Sequence, residues 1–509
     1  MKRFFIWILP LLVACNLGEK GRTIDVGAVK TEAGIVAGKT IGNDGVKQFL
    51  GIPYAAPPLG SLRWKAPQAV QPWQGTRVCV ENPPSAMQAR PKPFMCWSEE
   101  FMAPQEPLSE DCLYLNIWTA AQNDAEKRPV IVWIHGGAFT SGSGTVPLYN
   151  GEALARKGVV FVTINYRLGI WGFLAHPELS AESELGVSGN YGILDQIAAL
   201  KWVKKNIAAF GGNPDNITIA GQSAGAFSVN MLVVSPLARG LFHKAIAQSG
   251  GMFGKQLALG QTLEVAVENG KAILEQSGIQ SIEELRSLSS DSLLKIPGRF
   301  GLVIDHVVIP PVYETFASGQ QADVPTLTGW NADDGVSFGP PPTADQFKQQ
   351  AHNQYGEWAD AYLNHFPANT DAEAAQSQKL ASQLHFGWNN YSWARMQANK
   401  GNAPVYLYLF TRIPPGEPNY GAFHSAEFGY ALHTLKFWDR PFSEIDFQLE
   451  ETMSSYWINF AKNGDPNSEE LPIWPPFNPE NPEIMKLGDE VLAQPLPYRD
   501  QLYFLNEIN

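Results

Sequence analysis

An α/β fold built on a doubly wound, mostly parallel sheet is predicted for this chain by three observations. Apolar strand-like runs alternate with helical stretches along much of its length. Asn216-Ile-Thr-Ile-Ala-Gly-Gln-Ser-Ala-Gly225 sets a GxSxG turn between a β-branched run and a helix. Pro129-Val-Ile-Val-Trp-Ile-His135 has the pattern of a buried strand and runs directly into Gly136-Gly137-Ala138-Phe139. A parallel strand covered on both faces must be apolar at consecutive positions, and crossover helices must separate such strands in sequence.

Taken in order, strands are expected at Val130–Ile134, Val159–Asn165, Ile217–Ala220, His243–Gln248, Thr326–Gly329 and Val405–Phe410. The helical stretch Ile193–Phe210 precedes the turn, and Ala226–Val234 reads as an amphipathic helix after it. The segments from about 255 to 320 and 335 to 400 read as helical insertions, which in folds of this kind form the rim and walls over the functional site. There is no long internal repeat, and low-complexity sequence is limited to proline-rich turns such as Gly339-Pro-Pro-Pro342. At 509 residues, with 15 Trp, 27 Phe and 16 Tyr, the chain can fill one large core and still line a deep pocket with aromatic rings.

The GxSxG turn makes Ser223 the candidate nucleophile, because Gly221 and Gly225 lack the Cβ atoms that would clash where a strand reverses sharply into a helix. The glycine loop supplies a counterpart. The N–H groups of Gly136 and Gly137, with that of Ala224 just after the serine, are placed to receive a developing negative charge. A serine hydroxyl is a weak nucleophile near neutral pH, so a base and a group to orient that base must follow in the chain.

The motifs resemble those of the type B carboxylesterase family, the α/β-hydrolases that include para-nitrobenzyl esterases, animal carboxylesterases and cholinesterases. The likeness covers nearly all of the chain after its first segment. It is carried by Phe49-Leu-Gly-Ile-Pro-Tyr-Ala-Ala-Pro-Pro-Leu-Gly60 with Arg63, Ser109-Glu-Asp-Cys-Leu-Tyr-Leu-Asn116, Asn165-Tyr-Arg-Leu-Gly169, and Asn190-Tyr-Gly-Ile-Leu-Asp-Gln196 running into Phe210-Gly-Gly-Asn-Pro214. The resemblance implies an α/β-hydrolase fold and hydrolysis of carboxylic esters through an acyl-enzyme. It implies His424 as the base, since Gly421-Ala-Phe-His-Ser-Ala-Glu-Phe428 looks like the family's histidine loop. Asp334 is implied as the acid, where the family more often has glutamate, with Asp333 as the alternative. Gln222 stands where many relatives carry glutamate, which argues against cationic choline esters. Ser249 matches a position that supports the acid, Glu427 is expected behind the histidine, and Arg63 with Glu110 matches a structural ion pair.

The family often pairs the cysteine of its SEDCL motif with an upstream one, but Ala86 stands where that partner belongs. Of Cys79, Cys96 and Cys112, one pair and one free thiol are expected: Cys96 with Cys112, or alternatively Cys79 with Cys112. Two other functional classes share these motifs. One is a catalytically silent, cholinesterase-like binding protein, which retention of Ser223 and His424 opposes. The other is a serine amidase or thioesterase, which GxSxG does not separate from an esterase.

The chain opens with Lys2 and Arg3, an apolar run Phe4–Leu12, and Leu12-Val-Ala-Cys15, which resembles a bacterial lipobox. Residues 1–15 are therefore read as a signal peptide ending at a lipidated Cys15, 16–22 as a tether, and 23–509 as one catalytic domain. This places the enzyme outside the cytoplasm, anchored to a bacterial membrane at the periplasmic or cell-surface side. A net charge of −13, from 37 basic and 50 acidic residues, lacks the basic footprint that nucleic-acid binding needs. No phosphate loop or HExxH zinc motif occurs, and the expected chemistry requires no cofactor or metal. The expected partner is a small to medium ester, aryl esters included; oligomeric state is not legible.

Overall fold

The computed structural model describes residues 21–43, 45–254, 260–335 and 340–509. An eleven-stranded sheet runs through it. Its strands are β1 (Lys39–Ile41), β2 (Val46–Pro53), β3 (Tyr114–Thr119), β4 (Arg128–Ile134), β5 (Val160–Ile164), β6 (Gly212–Gln222), β7 (Lys244–Gln248), β8 (Thr326–Asn331), β9 (Val405–Phe410), β10 (Glu483–Leu487) and β11 (Val491–Pro495). They lie in the order β11-β10-β9-β8-β7-β6-β4-β5-β3-β2-β1. The strands from β4 to β10 are mutually parallel. Both edges are antiparallel: β1, β2 and β3 on one side and β11 on the other. The six expected strands all belong to the parallel part. The edge strands went unread because their sequences mix polar and apolar residues.

Why the central strands are apolar at every position is visible in the packing. Alternate side chains of a strand point to opposite faces. Val130, Val132 and Ile134 of β4 join one buried cluster, whereas Ile131 and Trp133 join another. Likewise Val405, Leu407 and Leu409 of β9 go to the first, and Tyr406, Tyr408 and Phe410 to the second. Helices α1 (Tyr191–Asn206), α2 (Ala224–Val234) and α3 (Asp371–Lys400) cover the first face; α4 (Glu444–Asn463) covers the second. Every residue of α2 is buried, so this helix is enclosed on all sides rather than amphipathic.

The motif residues fasten this frame. Arg167 and Asp195 form a buried bidentate pair at 2.7 and 2.8 Å, joining the loop after β5 to α1. Arg63 grips Glu110 at 2.5 and 2.7 Å and donates to the carbonyls of Arg286 and Leu288, tying the insertion helix Ile282–Ser287 to the body. Both pairs are enclosed and multiply hydrogen-bonded, the circumstance in which an ion pair holds geometry. The described parts of the two insertions are mainly helical, among them Leu263–Gln276, Ala344–Tyr355 and Ala359–His365. A short parallel pair, Gly260–Thr262 with Leu302–Ile304, lies inside the first and was not anticipated.

The expected disulfide is corrected. Cys79, Cys96 and Cys112 are all free and buried. Cys96 packs into the cluster on one face of the sheet, while Cys79 and Cys112 belong to the cluster on the other. The Cys79 thiol instead faces the Gly51 carbonyl at 3.9 Å. Burial pushes Cys79 up to about 11 and Cys96 up to about 12, and holds Cys112 far above the ordinary thiol range, so none is a thiolate nucleophile. Cys15, the residues 1–15 and most of the tether lie outside the described residues.

Candidate active site

Ser223 stands between the last residue of β6 and the first of α2, with φ 55° and ψ −126°. That conformation is uncommon for a residue with a side chain and is held by its surroundings. A Cβ on Gly225 would lie 2.0 Å from the Ile134 carbonyl oxygen, and one on Gly221 would lie 2.5 Å from the Gly225 carbonyl carbon. Both positions admit only glycine, so the turn is as tight as the GxSxG spacing suggests. The Ser223 N–H donates to the Gln248 carbonyl at 2.9 Å, which ties the turn to β7.

The other two residues arrive from distant loops. Asp334 follows β8 and is fully buried; His424 lies in the loop after β9 and is 7% exposed. Asp334 Oδ1 is 2.5 Å from His424 Nδ1, and Asp334 Oδ2 accepts from the Asn331 N–H at 2.9 Å. Asp333 faces elsewhere. It pairs with Lys379, accepts from the Ala422 N–H at 2.7 Å and forms a β-bridge with Phe423. Asp333 thus braces the histidine loop from outside while Asp334 faces the ring.

At the opposite end of the imidazole, Gln222 Nε2 is 3.2 Å from His424 Nε2. Among the described residues the Ser223 hydroxyl makes no hydrogen bond to His424, so the Gln222 amide holds the lone pair that a serine proton would take. Among the described residues Glu427 makes no hydrogen bond to the ring. It is fully buried, accepts from Asn331 Nδ2 at 2.5 Å and from Gln248 Nε2 at 3.1 Å, and is pushed up to about 7 by burial and then by the Asp334 charge. Asn331 is the link missed in the sequence: its main chain holds Asp334, and its side chain holds Glu427 and the Phe423 carbonyl. Ser249 departs from expectation. Its N–H bonds to the Gly329 carbonyl, but its buried hydroxyl has no partner among the described residues, and the two oxygens of Asp334 are held by His424 and Asn331.

The glycine loop lies directly against the elbow, since a Cβ on Gly136 would be 2.8 Å from the Gln222 carbonyl oxygen. Among the described residues, the N–H groups of Gly137 and Ala224 donate no hydrogen bond, which leaves two donors free beside Ser223, whereas the Gly136 N–H is directed at the Tyr149 hydroxyl. The loop is propped from behind. His135, pushed down to about 4 by burial and therefore neutral, donates Nδ1–H to the Gly136 carbonyl at 2.8 Å and stacks on Tyr166. Gln88 makes paired 2.8 Å bonds with the main chain of Gly142. Aromatic rings surround the histidine: Phe386 stacks on it at 4.7 Å, and Trp97 meets it edge-on at 6.4 Å while donating to the Ser425 hydroxyl.

Comparison with known proteins shows the family and the fold. Residues 25–504 match the carboxylesterase family. The chain belongs to that family. Among carboxylesterases it is 37% identical to fumonisin B1 esterase of Sphingopyxis macrogoltabida over 91% of this chain and 86% of that one. It is 35% identical to para-nitrobenzyl esterase of Bacillus subtilis (strain 168), over 92% and 96%. A solved para-nitrobenzyl esterase structure superposes with a TM-score of 0.81 at 31% identity, covering 94% of this chain and 99% of the other. This carboxylesterase is accordingly a serine hydrolase of carboxylic esters on the α/β-hydrolase fold.

Proposed function

We propose that Ser223 is the nucleophile, His424 the base and Asp334 the acid that orients it, with Gly136, Gly137 and Ala224 forming the oxyanion site. The observation that carries this assignment is the 2.5 Å contact of buried Asp334 with His424 Nδ1, beside the strained Ser223 turn. As Ser223 Oγ turns onto His424 Nε2 it displaces the Gln222 amide, gives its proton to the ring and attacks the ester carbonyl. The carbonyl oxygen gains negative charge and receives the free N–H groups of Gly137 and Ala224, and that of Gly136 once it turns from the Tyr149 hydroxyl. His424 then hands the proton to the leaving alcohol, the C–O bond breaks, and an acyl-serine remains. Water, deprotonated by His424, attacks that acyl group and restores the serine, while Asp334 stabilises the imidazolium formed in each half.

The substrates proposed are small to medium esters, aryl esters among them. Support comes from the names of the relatives and from the rings of Trp97 and Phe386 beside the histidine. Glutamine at 222, in place of an acid, leaves no negative charge next to the nucleophile to attract a cationic alcohol. Export and anchoring through Cys15 rest on the sequence of the first 15 residues; Cys15→Ala should shift the protein from the membrane fraction to the soluble fraction of a bacterial host.

Hydrolysis of para-nitrophenyl acetate to octanoate by a chain starting at Asn16, with Ser223→Ala as the blank, tests the mechanism. Loss of kcat by a factor of about 10⁴ or more in the variant is expected. Turnover near the wild-type rate would remove Ser223 from the mechanism.

A further inference from the structure

A cavity of about 250 Å³ lies next to the candidate active site, between the segment that follows β7 and the helical insertions. Its floor is the Gly251–Met252 segment, and an added Cβ on the preceding Gly250 would lie 2.9 Å from the Ser223 carbonyl oxygen. One wall is α3, through His385 and Trp388; Phe386, between them, is the ring that stacks on His424. The facing wall is an aromatic stack in which Tyr355 meets Tyr362 at 4.2 Å. The cavity therefore adjoins both nucleophile and base, although none of the reacting groups lines it.

Its lining is mixed: Gln354, Tyr355, Tyr362 and Trp388, whose buried Nε1–H has no partner among the described residues, stand with Asn389 and His385 among apolar side chains. Among the described residues no Asp, Glu, Lys or Arg side chain lines it. Asn389 is already occupied, with Oδ1 accepting from the Phe253 N–H at 2.9 Å and Nδ2 donating to the His385 carbonyl at 2.8 Å. The His385 ring, by contrast, is exposed where it lines the cavity and has no hydrogen-bond partner among the described residues. Surrounding protein holds its imidazole below the ordinary range, against the opposing pull of Asp334, so the ring is neutral at pH 7 and offers one donor and one acceptor. A hydrocarbon arm in this cavity would leave both unmatched, and a carboxylate would lose its hydration without meeting a cationic side chain among the described residues.

We propose that the cavity receives the arm of the ester remote from the scissile bond, and that His385 selects arms bearing an uncharged hydrogen-bonding oxygen, a hydroxyl or carbonyl. This rests on the esterase reading and names a substrate class within it.

The test uses two matched series on the chain starting at Asn16. In one, para-nitrophenol is acylated with straight chains of four to eight carbons, each plain, ω-hydroxylated or ω-carboxylated. In the other, butyrate is esterified with alcohols varied in the same way. The ratio of kcat/KM for the hydroxylated over the plain ester is expected to be about 3 to 10 in one series, carried by KM. It should fall to about 1 in His385→Phe, which keeps a ring and removes the hydrogen bonds, and recover in part in His385→Gln. Because each ratio is taken within one variant, a general loss of activity cancels. A ratio near 1 in both wild-type series, an unchanged ratio in both variants, or preference for the carboxylated arm would overturn the proposal while para-nitrophenyl acetate is still cleaved. No Ser223-dependent cleavage of any ester would overturn the esterase reading itself.

Discussion

Replacing Asp334 by Asn probes the candidate site with almost no change in volume. The orientation of the new amide is set by its neighbours. The Asn331 N–H donates to Oδ2 at 2.9 Å, so the amide oxygen must take that side and the NH₂ group must face His424 Nδ1, 2.5 Å away in the parent. A donor at that position forces Nδ1 to accept and places the ring's only proton on Nε2, the atom that has to receive the serine proton. The base is then held in the wrong tautomer, and no charge remains to stabilise the imidazolium. The expected loss in kcat is about 10⁴-fold, equivalent to about 5 kcal/mol of transition-state stabilisation. Asp333→Asn keeps an oxygen for the Ala422 N–H and loses mainly the pairing with Lys379, whose side chain is 66% exposed, so a loss below about tenfold is expected. The assay is kcat for para-nitrophenyl butyrate in both variants, with thermal unfolding to establish that each is folded. Equal losses, or a larger loss at Asp333, would refute the reasoning.

Glu427→Gln should change how stability depends on pH. Burial raises the Glu427 carboxyl from 4.5 to about 7 in the folded chain, so below pH 4.5 both states hold the proton and nothing is lost. Between 4.5 and about 7 the unfolded state releases its proton first, stability falls as pH rises, and the full cost of about 3 kcal/mol is present above that range. The Tm of the variant minus that of the parent should therefore climb from pH 5 to 8, whatever constant offset the amide introduces; a flat difference would exclude the effect. Gly225→Ala places a methyl group 2.0 Å from the Ile134 carbonyl oxygen and should displace the elbow from the glycine loop, lowering both Tm and kcat at a cost of about 1 to 3 kcal/mol; an unchanged Tm would refute the close contact. In the chain starting at Asn16, thiol titration after denaturation without reductant should count three free cysteines, and a count of one would restore a disulfide.

By itself the sequence determined what short-range chemistry dictates. Strands enclosed by helices on both faces need uninterrupted apolar runs, which is why Val130–Ile134 and Val405–Phe410 were legible and the half-polar edge strands were not. A turn that brings Gly225 against Ile134 admits only glycine, so the elbow could be read from the spacing of two residues. Tertiary structure decided whatever depends on which way a side chain points or on what meets it from far along the chain. Asp333 and Asp334 are neighbours with the same chemistry, and only folding aims one at Lys379 and the other at His424. Asn331 had no signal of its own, because its three partners come from two separate loops. The three cysteines could be counted, but their assignment to opposite faces of a sheet could not. His385 was one histidine among nine until α3 laid Phe386 on His424 and turned the ring beside it into a cavity. Local sterics act within a few residues and leave a pattern in sequence, whereas hydrogen-bond partners and cavity walls are chosen by the packing of the whole chain.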